Sequence, residues 1–159
     1  MTDPTNRLQL CTFHLDELYL GIDVTTVQEV LSGIDITEVP HADPAISGLI
    51  NLRGQLASTL DLRVRFGLPE RTPDTKSLHV VVRPAGEWIS LLVDSAGDVV
   101  DVDPAAYEKP PETLDERYRE LILGAYKLSD ALLLIMDVSA AVTLEPEELP
   151  PVDRPAPVG

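Results

Sequence analysis

The sequence predicts an all-β fold with a few short helices, and three observations support this prediction. Apolar and polar residues alternate over short segments such as Leu8–His14, which is the periodicity of a strand with one buried face. Turn-forming residues divide the 159-residue chain into about ten such segments. The longest uncharged apolar stretch, Ala131–Met136, has the length of one strand and is far shorter than the ~20 residues of a membrane span.

The first elements are a hairpin and a short helix. Alternation in Leu8–His14 and in Leu18–Ile22 indicates two strands, joined by a tight turn at Asp16-Glu17. A helix is predicted over Thr25–Leu31, capped by Asp23 or Thr25, with Glu29 pointing away from its apolar face. The residues that fall on one face at helical spacing are Val24, Val27, Val30 and Leu31.

The remaining elements follow the same pattern of strands separated by Gly, Pro and Asp. Two of them are helical: Leu114–Leu123, with Thr113 or Asp115 as its cap, and a last turn over Val138–Val142 capped by Asp137. The predicted strands are Ile34–Val39, Ile46–Arg53, Gln55–Leu62, Leu78–Val82, Trp88–Val93, Val99–Val102, Leu123–Leu128 and Ala131–Met136.

The domain organisation is one folded unit followed by a tail. Residues 1–144 hold all the predicted elements and are long enough to bury a sizeable core without a disulfide or a metal ion. Residues 145–159 contain five prolines and four acidic residues, a composition that cannot bury a core. We therefore expect a disordered tail, or a linker to a region outside this sequence.

Charge and cysteine content exclude several classes of protein. The formal net charge is −15, so the chain repels nucleic acids and anionic lipid, and we expect neither nucleic-acid binding nor direct membrane insertion. The N-terminus has no basic region followed by an apolar one, which argues against a secretion signal. The single cysteine, Cys11, agrees with a reducing cytoplasm.

No pattern of catalytic or metal-binding residues is present. His14, His41 and His79 are scattered and do not recur at metal-ligand spacing. The sequence also lacks a Gly-Xaa-Ser-Xaa-Gly elbow and a Gly-rich phosphate loop, and Cys11 lies inside an alternating strand. We therefore predict a protein that is not an enzyme, with no catalytic residues, no metal and no cofactor.

Several short motifs occur along the chain, and their order is more diagnostic of a protein family than any single motif is. Asn51-Leu52-Arg53-Gly54 followed by Asp61-Leu62-Arg63 is the most distinctive pair. The others are Leu20-Gly21-Ile22-Asp23, Val27-Gln28-Glu29-Val30, Ile36–Pro40, Leu91-Leu92-Val93-Asp94, Asp98-Val99-Val100, Gly124-Ala125 and Leu132–Asp137. This series, from about Leu8 to Leu144, resembles the CheW family of chemotaxis coupling proteins and the similar domain of CheA kinases.

The resemblance implies two five-stranded, SH3-like β-barrels packed around a shared core. It implies a cytoplasmic adaptor, recruited to membrane receptor arrays, with no catalytic activity of its own. One barrel face would bind the regulatory domain of a CheA-type histidine kinase, and a groove between the barrels would meet the cytoplasmic hairpin tip of a chemoreceptor. Two alternatives stay open: a CheW-like domain of a larger kinase or receiver fusion, and an unrelated enzyme or small-ligand-binding β-barrel.

By the same resemblance, Glu29 and Arg53 lie at the receptor groove, where the carboxylate would orient the guanidinium for an incoming partner. An isolated surface ion pair of little value is the alternative. Ser90, where the family often has Gly, lies near the same groove. The other candidates for receptor contact are Val27, Leu92 and Val99, for each of which core packing is an equal explanation.

Three further residues are predicted to be structural. The Asn51 amide would fix the turn before Gly54, and Gly54 would adopt a positive φ. Asp61 stands at a strand end, where aspartate caps turns.

Overall fold

The protein folds into two five-stranded β-sheets. The structure, a computed structural model, describes residues 8–72 and 76–143; the predicted tail, residues 145–159, lies outside them. Within these residues the strands are β1 Leu8–Leu15, β2 Leu18–Asp23, β3 Val27–Leu31, β4 Ile46–Leu52, β5 Gln55–Asp61, β6 Leu78–Val82, β7 Ile89–Val93, β8 Ser95–Val102, β9 Ile122–Lys127 and β10 Leu132–Met136. The predicted all-β class with two SH3-like barrels is confirmed.

The second barrel is inserted into the first along the chain. The first sheet has the order β8-β1-β2-β10-β9, and the second has the order β3-β6-β7-β5-β4. Most neighbours are antiparallel, but β2 pairs with β10 and β5 pairs with β7 in parallel. The parallel pairs join strands that are distant in sequence, so each barrel depends on long-range contacts.

Three apolar clusters hold the two barrels together. The largest draws Phe13 and Leu20 from the first sheet and Val82 and Leu91 from the second, so it forms a core shared by both. A second cluster around Leu10, Val102, Tyr126 and Leu133 fills the first barrel. A third around Ile50, Leu52, Ala57 and Val81 fills the second barrel. The barrels are therefore one packed unit rather than two independent ones.

Short helices cap the strands, and each begins at an aspartate. The helices are α1 Leu62–Arg65, α2 Glu116–Arg119 and α3 Val138–Val142, and their N-caps are Asp61, Asp115 and Asp137. Each aspartate side chain accepts a hydrogen bond from a backbone N–H of the first turn, which otherwise lacks a partner. No helix of the described residues is long and apolar enough to cross a membrane.

The predicted helix over Thr25–Leu31 is wrong. Only Val24–Thr26 forms a 3₁₀ turn, and Val27–Leu31 is strand β3, paired with β6. A register shift between Val27 and Glu29 turns Val27 toward the shared core, while Leu31 packs in the second barrel. This bulge breaks the two-residue alternation, so the apolar residues recur at a spacing that imitates a helix.

Three other elements differ from their predictions. The segment predicted as strand Ile34–Val39 pairs only at one bridge, between Thr37 and Leu49. The helix predicted over Leu114–Leu123 is limited to Glu116–Arg119, because Ile122 already begins β9. Helix α1 was missed, since Leu62 continues the apolar pattern of β5.

Candidate functional site

Glu29 in β3 and Arg53 after β4 form an exposed ion pair, which joins the first and the last strand in the order of the second sheet. Arg53 Nη2 donates a hydrogen bond to Glu29 Oε2 at 2.6 Å. The Arg53 side chain is 80% exposed and that of Glu29 is 26% exposed. The carboxylate thus occupies one donor of the guanidinium, and the rest of the group faces solvent.

The backbone of a tight turn sets the direction of Arg53. Arg53 and Gly54 connect β4 to β5 and have φ values of 53° and 89°. Two positive φ values match a type I′ hairpin turn, which suits Gly54 but is uncommon for arginine. The Asn51 side chain holds the turn, because its Oδ1 accepts a hydrogen bond from Gly54 N at 2.8 Å.

Of the apolar candidates, Val27 and Val99 keep some exposure. Val27 is half-buried in β3 and packs against the shared core. Val99 is 53% exposed in β8, which belongs to the first sheet. The predicted receptor residues are therefore divided between the two barrels.

Ser90 and Leu92 do not offer their side chains to a partner. Ser90 is fully buried and Leu92 is only 5% exposed. Both lie in β7, the central strand of the second sheet, with β6 on one side and β5 on the other. We therefore correct the prediction that they line the receptor groove: a central strand of a packed barrel turns these side chains inward.

The Ser90 hydroxyl instead belongs to a polar contact in the interior. Its Oγ lies 2.7 Å from Nδ1 of His79, which is 3% exposed. Burial lowers the pKa of His79, and the charge of Arg71 lowers it further. The contact therefore holds a neutral imidazole in the second barrel.

A charged cluster that the sequence did not reveal lies at the point where the chain passes from the second sheet to the first. Asp94 is the single residue between β7 and β8. Its carboxylate accepts hydrogen bonds from Arg63 Nε at 3.0 Å and Nη2 at 2.8 Å, and also from Arg71. Arg71 reaches Asp61 Oδ1 at 3.2 Å as well. The bidentate contact of Arg63 is the geometry that guanidinium and carboxylate groups prefer.

This cluster ties the second barrel to the first hairpin. The Asp94 backbone N–H donates to His14 O at 3.0 Å, and the backbone N–H of Asp16 donates to Asp94 Oδ2 at 2.7 Å. Burial raises the pKa of Asp94, but the hydrogen bonds from Arg63, Asp16 and Arg71 outweigh it and lower that pKa to about 2. The sequence marked Asp61-Leu62-Arg63 and Leu91-Leu92-Val93-Asp94 as separate motifs, but nothing in it indicated that Arg63 and Asp94 form a pair.

An exposed leucine marks a second surface. Leu56 is 64% exposed in β5, which makes it the most exposed large apolar side chain among the described residues. It stands opposite Asn51 in the β4–β5 hairpin, close in sequence to Arg53. Contiguous exposed apolar patches mark protein contacts, whereas a single exposed leucine is common on a protein surface.

Nothing in the described residues assembles a metal site. No group of three or more His, Cys, Asp or Glu in that part of the chain could hold a metal ion. Cys11 is half-buried in β1, and burial raises the pKa of its thiol, so the reactive thiolate is disfavoured.

The chain matches known proteins over nearly its whole described length. The family model of the CheW-like domain matches residues 9–145. The chemotaxis protein CheW of Bacillus subtilis is 29% identical over 137 residues, covering 86% of this chain and 88% of that protein. The chemotaxis protein CheW of Treponema pallidum is 26% identical over 136 residues, covering 83% of this chain and 80% of that protein.

A solved structure agrees with these matches. The crystal structure of the scaffolding protein TtCheW from Thermoanaerobacter tengcongensis is similar, with a TM-score of 0.74 and 31% sequence identity. The match covers 82% of this chain and 88% of that chain. The similarity therefore extends to both barrels.

Proposed function

The chain belongs to the CheW-like domain family, and on that premise we propose that it couples the cytoplasmic tip of a chemoreceptor to a CheA-type histidine kinase by binding both. The observation that carries the proposal is the exposed Glu29–Arg53 pair, in which Glu29 lies in β3 and Arg53 lies on the tight turn between β4 and β5. The protein acts as a scaffold in the cytoplasm, without catalysis, and is recruited to receptor arrays.

The receptor face is built around Arg53. One Nη2–Oε2 contact with Glu29 orients the guanidinium while most of it stays in solvent. Its free N–H groups are suited to carboxylate or carbonyl oxygens of an incoming helical hairpin. Val27 in the second barrel and Val99 in the first are the candidates for apolar contact with the receptor. A charged pair such as Glu29–Arg53 sets register more than affinity.

The kinase face is centred on Leu56, which lies on the same β4–β5 hairpin as Arg53. An apolar side chain that is 64% exposed gains most from burial against another protein. Leu56 lies on β5 next to the edge strand β4, and exposed sheet edges are common sites of protein contact. Two faces on one small domain allow the kinase and the receptor to be held at the same time.

The shared core explains how a scaffold can transmit a signal. Because residues of both sheets pack in one cluster, a partner on one face is positioned rigidly relative to a partner on the other. A receptor that changes conformation can then shift the kinase between two conformational states. The size of the shift depends on how differently the receptor-bound scaffold binds those two states of the kinase.

Calorimetry with matched variants tests the proposal. We expect the regulatory domain of the cognate kinase to bind with a Kd of roughly micromolar or tighter, as in transient signalling contacts. Arg53→Ala should reduce binding to receptor tips about tenfold and leave kinase binding unchanged. Leu56→Asp should do the reverse.

The fold of each variant is checked by its melting temperature. An exposed ion pair adds less than about 1 kcal/mol to stability, so Arg53→Ala should melt close to the parent protein. Absence of kinase binding at high concentration would contradict the proposal. A large drop in melting temperature for Arg53→Ala would show that the pair is structural instead.

A further inference from the structure

His79 is a titratable residue enclosed in the second barrel. It lies in β6, between β3 and β7 in the order of the second sheet, and is only 3% exposed. Its partners in register are Leu31 of β3 and Leu92 of β7. Val81 lies two residues along β6, on the same face, and belongs to the apolar cluster inside this barrel. The imidazole therefore lies in an apolar interior.

The polar groups beside the imidazole are hydroxyls, which carry no charge. Ser90 Oγ lies 2.7 Å from His79 Nδ1. Thr59 of β5 pairs with Ser90 in register, and its Oγ1 is buried with no hydrogen-bond partner in the described part of the chain. The Ser90 hydroxyl can donate or accept, so it satisfies a neutral ring in either tautomer. Neither hydroxyl can balance the positive charge that protonation brings.

The charged groups around His79 oppose its protonation as well. Strands β4, β6 and β7 carry no acidic or basic residue apart from His79 itself. The acidic residues nearby already hold an arginine: Glu29 of β3, Asp61 of β5 and Asp94 after β7. Arg71 adds a positive charge beside β7, because its Nη2 donates to the carbonyl of Leu92, opposite His79, at 2.9 Å. The folded barrel therefore favours the neutral ring, and burial and the charge of Arg71 both lower the pKa of His79.

We propose that His79 makes the pairing of β3 with β6 sensitive to acid, because the imidazole takes up a proton readily only when this part of the barrel opens. Among the named strands, β3 pairs with β6 alone, so its place in the sheet depends on the strand that carries His79. In the open state the ring meets water and binds a proton below its ordinary pKa of 6.5.

The direction of the effect follows from proton linkage. The pKa of His79 is lower in the folded state than in the open state, so open states bind more protons as the pH falls below 6.5. The stabilisation is complete above that pH and decreases below it. Each pH unit raises the population of open states by up to about tenfold, until the pH reaches the folded-state pKa.

Opening of β3 would also disturb the receptor face. Glu29 lies in β3, two residues before Leu31, and its carboxylate holds the Arg53 guanidinium. A displaced β3 separates this pair, so acid should weaken receptor binding; this consequence alone rests on the proposed function. The response lies above the pH range of Asp94, whose stabilisation is lost between pH 3.8 and about 2.

Urea unfolding at about pH 7.5 and about pH 5.5, on either side of the ordinary pKa of histidine, tests the proposal. The variant is His79→Gln, which cannot take up a proton. The matched control is His41→Asn, because His41 is exposed and asparagine tolerates its positive φ of 63°. Between the two pH values, we expect the folding equilibrium constant of the parent to fall about five- to tenfold more than that of His79→Gln. The control should behave as the parent does.

Amide hydrogen exchange locates the opening. After correction for intrinsic exchange rates, the amides of β3 should open several-fold more often at the lower pH in the parent, but equally at both pH values in His79→Gln. If His79→Gln does not fold, the ring resonances of His79 in the folded parent decide instead. We expect them to report a neutral imidazole at about pH 5.5.

Three outcomes would overturn the inference: an equal pH dependence in the parent and His79→Gln, unchanged exchange of β3 in the parent, or a protonated His79 ring in the folded protein at about pH 5.5. None of these readings involves a receptor or a kinase. Calorimetry with receptor tips at both pH values tests the consequence, and binding should weaken more in the parent than in His79→Gln. If receptor tips bind neither protein while β3 responds as expected, the acid sensitivity holds and the proposed function fails.

Discussion

Asp94 joins the two barrels through both its backbone and its carboxylate. It donates to His14 O and accepts from Arg63, Arg71 and the Asp16 backbone. Its side chain is 16% exposed and that of Arg63 is 11% exposed, so the attraction is weakly screened by water. A buried charge held this way stabilises the fold only while all partners are present.

Asp94→Asn should therefore lower the free energy of unfolding by about 2 kcal/mol at neutral pH, with a further cost for the unpaired arginines. The pKa of Asp94 falls from its ordinary 3.8 to about 2 on folding. Its stabilisation is present above pH 3.8 and is lost as the pH falls toward 2. Urea unfolding of the parent and the variant across this range measures the difference.

The control is Asp101→Asn, an exposed residue of β8 that changes the net charge equally. The control should show neither the loss at neutral pH nor the acid dependence. A difference between Asp94→Asn and the parent that persists unchanged at pH 2 would contradict this account of the cluster.

The sequence predicted the positions of exposed site residues better than those of buried ones. Glu29 and Arg53 were expected to be close enough to pair, and the structure brings them to 2.6 Å. The inward direction of Ser90 and Leu92 depends on β7 being central in its sheet, which follows from the parallel pairing with β5. No local pattern reports such long-range pairing.

At the scale of elements, the predicted number of about ten strands agrees with the ten strands of the described residues, although one predicted strand and one predicted helix were assigned to the wrong segments. The sequence predicted a strand at Ile34–Val39 and a helix at Thr25–Leu31, whereas the structure has strand β3 in the second segment and one bridge in the first. The β-branched residues Val24, Val27 and Val30 favour strands, and pairing with β6 satisfies the backbone. A seven-residue window with a bulge could not distinguish the two periods.

The bridge at Thr37 depends on a close approach to Gly48. Thr37 N donates to Leu49 O and Leu49 N donates to Thr37 O, each at 2.8 Å. A Cβ at position 48 would overlap Thr37 O and the Ile36 side chain, and Gly48 has a φ of +149°. Glycine is therefore required both by space and by backbone conformation.

Gly48→Ala should lower the free energy of unfolding by about 2 kcal/mol or more, because the overlap is with backbone that cannot move aside. The matched control is Gly33→Ala, whose φ of +70° is also positive but whose Cβ would meet nothing. The control should cost only about 1 kcal/mol. Denaturant midpoints measure the stability of both variants. Equal losses of unfolding free energy would show that the backbone at Thr37 moves aside easily.

At the scale of the whole molecule, topology makes the two barrels interdependent. The chain leaves the first sheet after β2, completes the second, and returns through Asp94 to β8. The first sheet therefore closes only when β2 meets β10, more than a hundred residues later in sequence. Sequence reasoning obtained this arrangement only through resemblance, since composition and periodicity specify strands but not their order.

The interdependence predicts one cooperative unfolding transition. Leu133→Ala removes a fully buried side chain from the cluster inside the first barrel and should cost roughly 2–5 kcal/mol. Trp88 lies in the second barrel, against its cluster, so its fluorescence reports a region that the substitution does not touch. Because the shared core couples the barrels, we expect the urea midpoint of Trp88 fluorescence to fall together with that of the β10 amide resonances. If the Trp88 midpoint stays at the parent value while the β10 midpoint falls, the two barrels unfold separately. The rigid coupling of the two partner faces would then have no physical basis.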